Sequence, residues 1–179
     1  MRELWVLFAA IVLHGAGHWV AARCCGVRLR RLRLSATGLR LISDRGSFPS
    51  YRAELAIALG GPLGNLLGNA LPIALSLLPF PALRSACREV VSLSLFLAGW
   101  NLLPLDGFDG GRILRCLLLG SKRPLSLPFV DGICRISSAL CLTGLWLLAV
   151  YFVLRTGRAI SLFWFCLQLF WGAYVKEGA

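Results

Sequence analysis

The chain has 179 residues, of which 58% are hydrophobic and 15% are charged, and its mean hydropathy is +0.74. This composition is too apolar for a soluble domain and excludes that class. The net charge of +11 fits either a nucleic acid or a membrane face as partner, and the position of the basic residues decides between them. We therefore expect an all-α polytopic membrane protein that forms a single membrane-embedded domain over residues 1–179.

Five apolar stretches are long enough to cross a bilayer, which takes about 20 helical residues. They are residues 3–22, 53–79, 90–105, 130–154 and 159–175. The first stretch contains both histidines of the chain and no A-x-A-like cleavage site closes it, so it is not a secretory signal peptide. The sequence thus predicts about five transmembrane helices.

In the segment of about residues 26–43, leucine or valine alternates with arginine, and a turn follows at Ala36-Thr37-Gly38. This pattern predicts a short amphipathic β-hairpin at the membrane surface. Fourteen of the 19 basic residues fall on the side of the membrane that carries this hairpin and the C-terminus, and five fall on the other side. The positive-inside rule therefore predicts a cytoplasmic hairpin and C-terminus, and an N-terminus outside. Nucleic-acid binding is then not needed to explain the charge, and we expect none.

The stretch VLHGAGHWVA, residues 12–21, places His14 and His18 four residues apart. In a helix this spacing puts both imidazoles on one face, where they can bind one zinc ion. The alternative is a pair of neutral histidines that hydrogen-bond across a helix bundle. Because ionisable groups are costly inside a bilayer, a pair on one face favours a functional site.

A catalytic zinc site needs a third protein ligand and one open position. The candidate segment is WNLLPLDGFDGGRIL, residues 100–114, where the third apolar stretch breaks at Pro104 into two Asp-Gly steps. Non-helical backbone at membrane depth is tolerated where protein buries it or where it lines a wet cavity. An ordinary loop at the end of a span is the alternative. The loop emerges on the same predicted side as the histidines, so its two aspartates, Asp106 and Asp109, are candidate ligands.

Three motifs, the H-x-x-x-H pair, GGPLGN at 60–65 and NLLPLDGFDGGR at 101–112, together resemble the site-2 protease family of intramembrane zinc metalloproteases. The branch that the chain looks most like is the stage IV sporulation protease of bacteria, and the resemblance covers residues 5–120. It implies Zn²⁺ bound by His14, His18 and Asp109, with Asp106 as the alternative ligand. It also implies a bacterial cytoplasmic or forespore-surrounding membrane, a single-pass or membrane-associated protein substrate, and regulatory membrane partners.

Glycines recur at every fourth residue of the second stretch, at Gly60, Gly64 and Gly68. This spacing strips one helix face of side chains and lets another backbone approach closely. Pro62 interrupts the helical hydrogen bonds locally. The resemblance implies that Asn65 and Asn101 hold the unwound backbone of a substrate, and structural hydrogen bonding is the alternative for each.

The chain departs from the family at Gly15, which stands where the H-E-x-x-H motif has the glutamate that acts as general base. Loss of general acid–base catalysis typically lowers a rate by about 10²–10⁴. The chain also begins without the span that usually precedes the histidine helix. We therefore expect an intramembrane zinc metalloprotease of doubtful activity. The alternative is a pseudoprotease that binds a membrane substrate without hydrolysing it, and a metal transporter ranks last because the other spans offer few acids or histidines.

Overall fold

The computed structural model describes residues 2–27, 29–35, 38–43, 50–121 and 125–156. The helices in these ranges are α1 (Arg2–Cys24), α2 (Tyr51–Gly68), α3 (Ala70–Leu75), α4 (Pro81–Asn101), α5 (Asp109–Leu119) and α6 (Leu127–Thr156). Two antiparallel strands, β1 (Leu29–Ser35) and β2 (Gly38–Ser43), lie within the interval of the predicted hairpin, with Leu34 opposite Leu39. The described part of the chain is therefore predominantly helical.

Three helical segments in the described ranges are long and apolar enough to cross a membrane: Leu4–Cys24, Tyr51–Leu75 and Leu127–Arg155. They correspond to the first, second and fourth predicted spans. The described residues therefore do not reach the predicted count of five. The predicted fifth span, residues 159–175, lies outside the described residues.

The predicted third span, 90–105, is wrong in its bounds. The helix there, α4, begins at Pro81 and ends at Asn101. Proline is favoured in the first turn of a helix, because its missing N–H has no intrahelical partner there. The first half of α4 also contains two arginines and one glutamate, which make it more polar than a typical spanning helix.

The predicted second span, 53–79, is not one continuous helix. Its helix starts at Tyr51, where the Ser50 side chain accepts a hydrogen bond from the Ala53 N–H at 3.2 Å. The helix pauses at Asn69, which separates α2 from α3. Pro72 cannot donate the backbone hydrogen bond that would continue α2 into α3, so the interruption follows from the sequence.

Helices α1 and α2 pack against each other through glycines. A Cβ atom added to Gly17 of α1 would collide with the carbonyl oxygen of Gly60 and lie 2.7 Å from the Cα of Gly64. A Cβ on Gly64 would in turn lie 2.6 Å from the Cα of Gly17. The two backbones are thus in direct contact, which is how small residues permit close packing in membranes.

Candidate metal centre

His14, His18 and Asp109 meet at the contact of α1, α2 and α5. The Nε2 atoms of the two histidines are 3.1 Å apart, and Asp109 Oδ2 lies 3.2 Å from His14 Nε2 and 3.3 Å from His18 Nε2. The residues are 9%, 2% and 7% exposed, respectively. Both histidines lie within the apolar segment Leu4–Cys24. The three predicted ligands therefore lie together in one buried cluster, which includes two residues of a helix apolar enough to cross a membrane.

The spacing of these three atoms fits a tetrahedral zinc site. Zinc binds imidazole nitrogen and carboxylate oxygen at about 2.0–2.1 Å, so two ligand atoms of a regular tetrahedron are about 3.3 Å apart. The three measured separations are 3.1, 3.2 and 3.3 Å. Three electron-rich atoms that converge in this way form a favourable arrangement around a cation.

His18 is oriented by the backbone of α2. Its Nδ1–H donates a hydrogen bond of 2.7 Å to the carbonyl oxygen of Ile57, which leaves the Nε2 lone pair facing Asp109. Gly61, one turn further along α2, lies beneath both imidazoles. A Cβ there would collide with His18 Nε2 and lie 2.6 Å from His14 Cε1. The absence of a side chain at Gly61 therefore creates the space that the two rings occupy.

His14 has a different neighbour. Its Nδ1 lies 3.4 Å from the side-chain nitrogen of Asn65, whose side chain is fully buried. Each ring thus has its own partner on α2, and the two imidazole planes are at 87° to each other. Asn65, singled out in the sequence for substrate contact or structural bonding, therefore lies directly beside a candidate metal ligand.

Asp109 is brought to the histidines by a non-helical segment between α4 and α5. Gly107 has φ +89°, a conformation that favours glycine. A Cβ on Gly110 would collide with the carbonyl oxygen of Leu102, and one on Gly111 with that of Leu105. The D-G-G sequence thus lets the loop fold back tightly over the first turn of α5, where Asp109 is the first residue. A carboxylate is also favourable at a helix N-terminus.

Helix α6 holds this loop from the other side. Ser138 Oγ donates a hydrogen bond to the carbonyl oxygen of Pro104 and accepts one from the Asp106 N–H, each at 3.1 Å. One turn further along α6, Leu142 forms an apolar cluster with Leu105 and Phe108. Polar and apolar contacts on one face of α6 therefore fix the loop that carries Asp109.

An ion pair joins α5 to α2. Arg112 Nη2 lies 3.5 Å from Glu54 Oε1, and both side chains are about one quarter exposed. Arg112 follows Asp109 by three residues and so lies near it on the helix surface. The pair therefore contributes to the placement of α5 against the helix that holds the two histidines.

Gly15 has open space where a side chain would project. Within the described ranges, no neighbouring heavy atom lies within 4 Å of a Cβ built on this residue. The position that carries the glutamate in H-E-x-x-H zinc proteases is thus free of packing contacts here.

The remaining predicted site residues are not in the cluster. Asp106 is exposed, and the structure brings Asp109 to the histidines in its place. The Asn101 side chain donates a hydrogen bond of 2.9 Å to the Leu97 carbonyl of its own helix. Pro62 is buried inside α2, which continues through it.

The buried His-His-Asp cluster could hold a metal ion, and it includes two residues of a helix that is long and apolar enough to cross a membrane. The chain is 34% identical over 119 residues to a zinc metalloprotease of Methanocaldococcus jannaschii, a match that covers 63% of this chain and 33% of the relative. It is 30% identical over 115 residues to a Synechocystis chain named by inference as a zinc metalloprotease, covering 63% of this chain and 30% of that one.

A solved structure, the site-2 protease from Methanocaldococcus jannaschii, superposes with a TM-score of 0.64 and 28% sequence identity. The match covers 96% of this chain and 76% of the solved chain. No protein-family model matches the chain. The chain spans about a third of the length of the curated relatives it matches. The chain is therefore similar to zinc metalloproteases in sequence and to a solved site-2 protease in fold, and its His-His-Asp cluster is a ligand set that suits Zn²⁺.

Sequence reasoning missed three contributors to the site. Ser138 is one of two adjacent serines in a long apolar helix, and the Ile57 carbonyl is a backbone group that no residue pattern reveals. Gly61 was overlooked because it lies outside the four-residue glycine spacing, although its place next to Gly60 in a double glycine was a usable signal.

Proposed function

We propose that the chain is an intramembrane zinc metalloprotease of site-2 type that hydrolyses peptide bonds of membrane-embedded protein substrates. The observation that carries this proposal is the triangle formed by His14 Nε2, His18 Nε2 and Asp109 Oδ2, with sides of 3.1, 3.2 and 3.3 Å. Zinc held by these three residues supplies a Lewis acid that polarises a peptide carbonyl and acidifies water.

The protein has the residues that would hold the metal but lacks the general base. His14, His18 and Asp109 hold the metal, and the surrounding helices shield it from bulk water. Gly15 offers no carboxylate to take a proton from the attacking water and pass it to the leaving amine. We therefore expect hydrolysis to be slower, by about 10²–10⁴, than with a glutamate at this position.

The finer assignments rest on the sequence. The order of the three motifs supports a stage IV sporulation protease-like branch, and with it a bacterial cytoplasmic or forespore-surrounding membrane. The distribution of basic residues supports a cytoplasmic C-terminus and an outside N-terminus. A single-pass or membrane-associated protein is the proposed substrate, because the ligand cluster lies at membrane depth.

The test is zinc analysis and cleavage of a fluorescent transmembrane peptide by the purified chain in detergent. We expect about one zinc ion per chain and slow cleavage that a chelator abolishes and added zinc restores. The double variant His14→Ala, His18→Ala should lose both zinc and cleavage. The matched control Val12→Ala, Val20→Ala changes two exposed residues of the same helix and should retain both.

Two results would change the proposal. Undiminished zinc in the double histidine variant would remove the metal site from these residues. Binding of the peptide without cleavage, both by the natural chain and by Gly15→Glu, would make the chain a substrate-binding pseudoprotease.

A further inference from the structure

Both histidines must present an unprotonated Nε2 to the metal. A neutral imidazole carries one proton, so the proton must lie on Nδ1 of each ring. For His18 the Ile57 carbonyl oxygen settles this, because a carbonyl can only accept a hydrogen bond and lies 2.7 Å from Nδ1. His14 has no such backbone partner among the hydrogen bonds of the described residues, and its Nδ1 faces the amide of Asn65 instead.

The Asn65 amide can present either of its two ends to His14. If its NH₂ group donated to His14 Nδ1, the proton of the neutral ring would lie on Nε2, directed at the other two ligand atoms, and His14 could not bind the metal. If its Oδ1 accepts from His14 Nδ1–H, then Nε2 is free, as in His18. In the first arrangement, Oδ1 is buried with no hydrogen-bond partner in the described part of the chain. In the second arrangement the NH₂ group takes that unpartnered place, so the unpaired atom does not distinguish the two arrangements. What distinguishes them is that only the second leaves His14 Nε2 free for the metal.

We propose that Asn65 is the positioning residue for His14: its Oδ1 accepts a hydrogen bond from Nδ1–H and thereby directs Nε2 to the zinc. This rests on the proposed zinc site. A metal-binding histidine commonly donates its second ring N–H to a carbonyl or carboxylate oxygen, and loss of that partner typically weakens metal binding about 10- to 100-fold. The amide side chain is 0% exposed, so its place is beside His14 and not on a free substrate surface.

The first experiment compares the zinc affinity of the full-length chain in detergent with that of two Asn65 variants. Asn65→Leu removes the acceptor at similar volume and should bind zinc about 10- to 100-fold more weakly. Asn65→Asp keeps an oxygen acceptor and should stay within about threefold of the natural chain or bind more tightly. Asn69→Leu replaces a second buried asparagine, between α2 and α3, and should change zinc affinity by less than about twofold.

A purely structural role for Asn65 predicts the reverse order. A leucine would then fill the buried site well, whereas an aspartate would place a charge in it and destabilise the protein. Zinc affinity of Asn65→Leu equal to that of the natural chain would therefore overturn the proposal. So would a larger loss for Asp than for Leu. If Asn65→Leu does not fold, Asn65→Ala takes its place in the comparison.

The second experiment reads the tautomers directly, by ¹⁵N NMR of histidine-labelled protein. The chain has only two histidines, so the two rings can be assigned from one variant. In the zinc-loaded chain we expect both rings to carry the proton on Nδ1, and the hydrogen bond to Asn65 to protect the His14 Nδ1–H from exchange with solvent. This protection of His14 should be lost in Asn65→Leu, whereas the His18 Nδ1–H should stay protected by the Ile57 carbonyl. Equally fast exchange of the His14 Nδ1–H in the zinc-loaded natural chain and in zinc-loaded Asn65→Leu would overturn the proposal. Absence of zinc binding in the natural chain would refute the proposed function and this proposal with it, whereas zinc binding that does not depend on Asn65 would overturn this proposal alone.

Discussion

Two glycines on α1, only two residues apart, lie in opposite surroundings. Gly17 is pressed against the backbone of α2, so that a Cβ would collide with Gly60, whereas a Cβ on Gly15 would meet open space among the described residues. We call the face of α1 at Gly17 the closed side and the face at Gly15 the open side. Packing on the closed side fixes the position of the helix that carries His14 and His18. The open side is where the general base of a zinc protease would project. The scaffold of the metal site is therefore tightly constrained by packing, and the position of the base is not.

This difference explains how a chain can lack the glutamate and retain the metal site. A substitution at Gly15 alters no packing contact of the described residues and leaves both imidazoles in place. Its consequence is confined to proton transfer. A substitution on the closed side, by contrast, changes the distance between the helices and with it the positions of the ligands.

The largest effect should follow from placing a side chain in the contact between α1 and α2. Gly17→Ala places a methyl group against backbone atoms, which cannot rotate away, and we expect a loss of about 3 kcal/mol in the free energy of unfolding. Gly15→Ala is the matched control and should stabilise the protein by about 0.5–1 kcal/mol, because alanine favours a helix over glycine. Thermal or denaturant unfolding in detergent measures both. Equal effects of the two variants would contradict the contrast between the two sides.

A second variant tests the closed side from α2. Gly61→Ala inserts a methyl group between the two imidazoles and should lower zinc affinity about 10- to 100-fold by displacing them. Gly99→Ala, on α4, has no described atom within 4 Å of its Cβ and serves as the control. Competition with a chelator of known affinity measures the change. If Gly61→Ala bound zinc as tightly as Gly99→Ala, the imidazoles would not bind metal in this geometry.

The smallest effect concerns the loop that carries Asp109. Ser138→Ala removes two hydrogen bonds to the loop, to the Pro104 carbonyl and from the Asp106 N–H. We expect the free energy of unfolding to fall by about 1 kcal/mol and the affinity for zinc to become a fewfold weaker. The effect is small because the apolar contacts of Leu142 still hold the loop. Ser137→Ala, one residue earlier, should leave the affinity unchanged. The same chelator competition measures the zinc affinity of both variants. Equal affinities of Ser138→Ala and Ser137→Ala would show that the hydrogen bonds of Ser138 to the loop do not influence the metal site.

Much of the metal centre could be predicted from the sequence. The spacing of His14 and His18 places them on one helix face, and the resemblance to the site-2 protease family favoured Asp109 over Asp106. The structure shows why: Gly110 and Gly111 permit the fold of the loop that delivers Asp109. The glycine spacing in α2 also predicted a close helix contact. It could not show which helix makes the contact, because any helix with a small residue at the crossing point can approach such a face.

The remaining errors have local causes. The second span was predicted as one helix because hydropathy does not register the hydrogen bond that Pro72 cannot donate. The third was placed too late because the charges in the first half of α4 hide a continuous helix from a search for apolar residues. The role of Asn65 stayed open because its partner, His14, is 51 residues away in the chain.

The central inference is that the zinc scaffold is intact and that only the proton-transfer group is absent. It is tested most directly by the rate of cleavage of the transmembrane peptide by the natural chain, Gly15→Glu and Gly15→Gln, at equal zinc content. Glutamate fits the open space, and we expect Gly15→Glu to raise the rate by about 10²–10⁴. Gly15→Gln has the same size but cannot shuttle a proton, and should not raise it. A natural chain that cleaves as fast as Gly15→Glu, with activity that survives His14→Ala, would contradict zinc hydrolysis at this site.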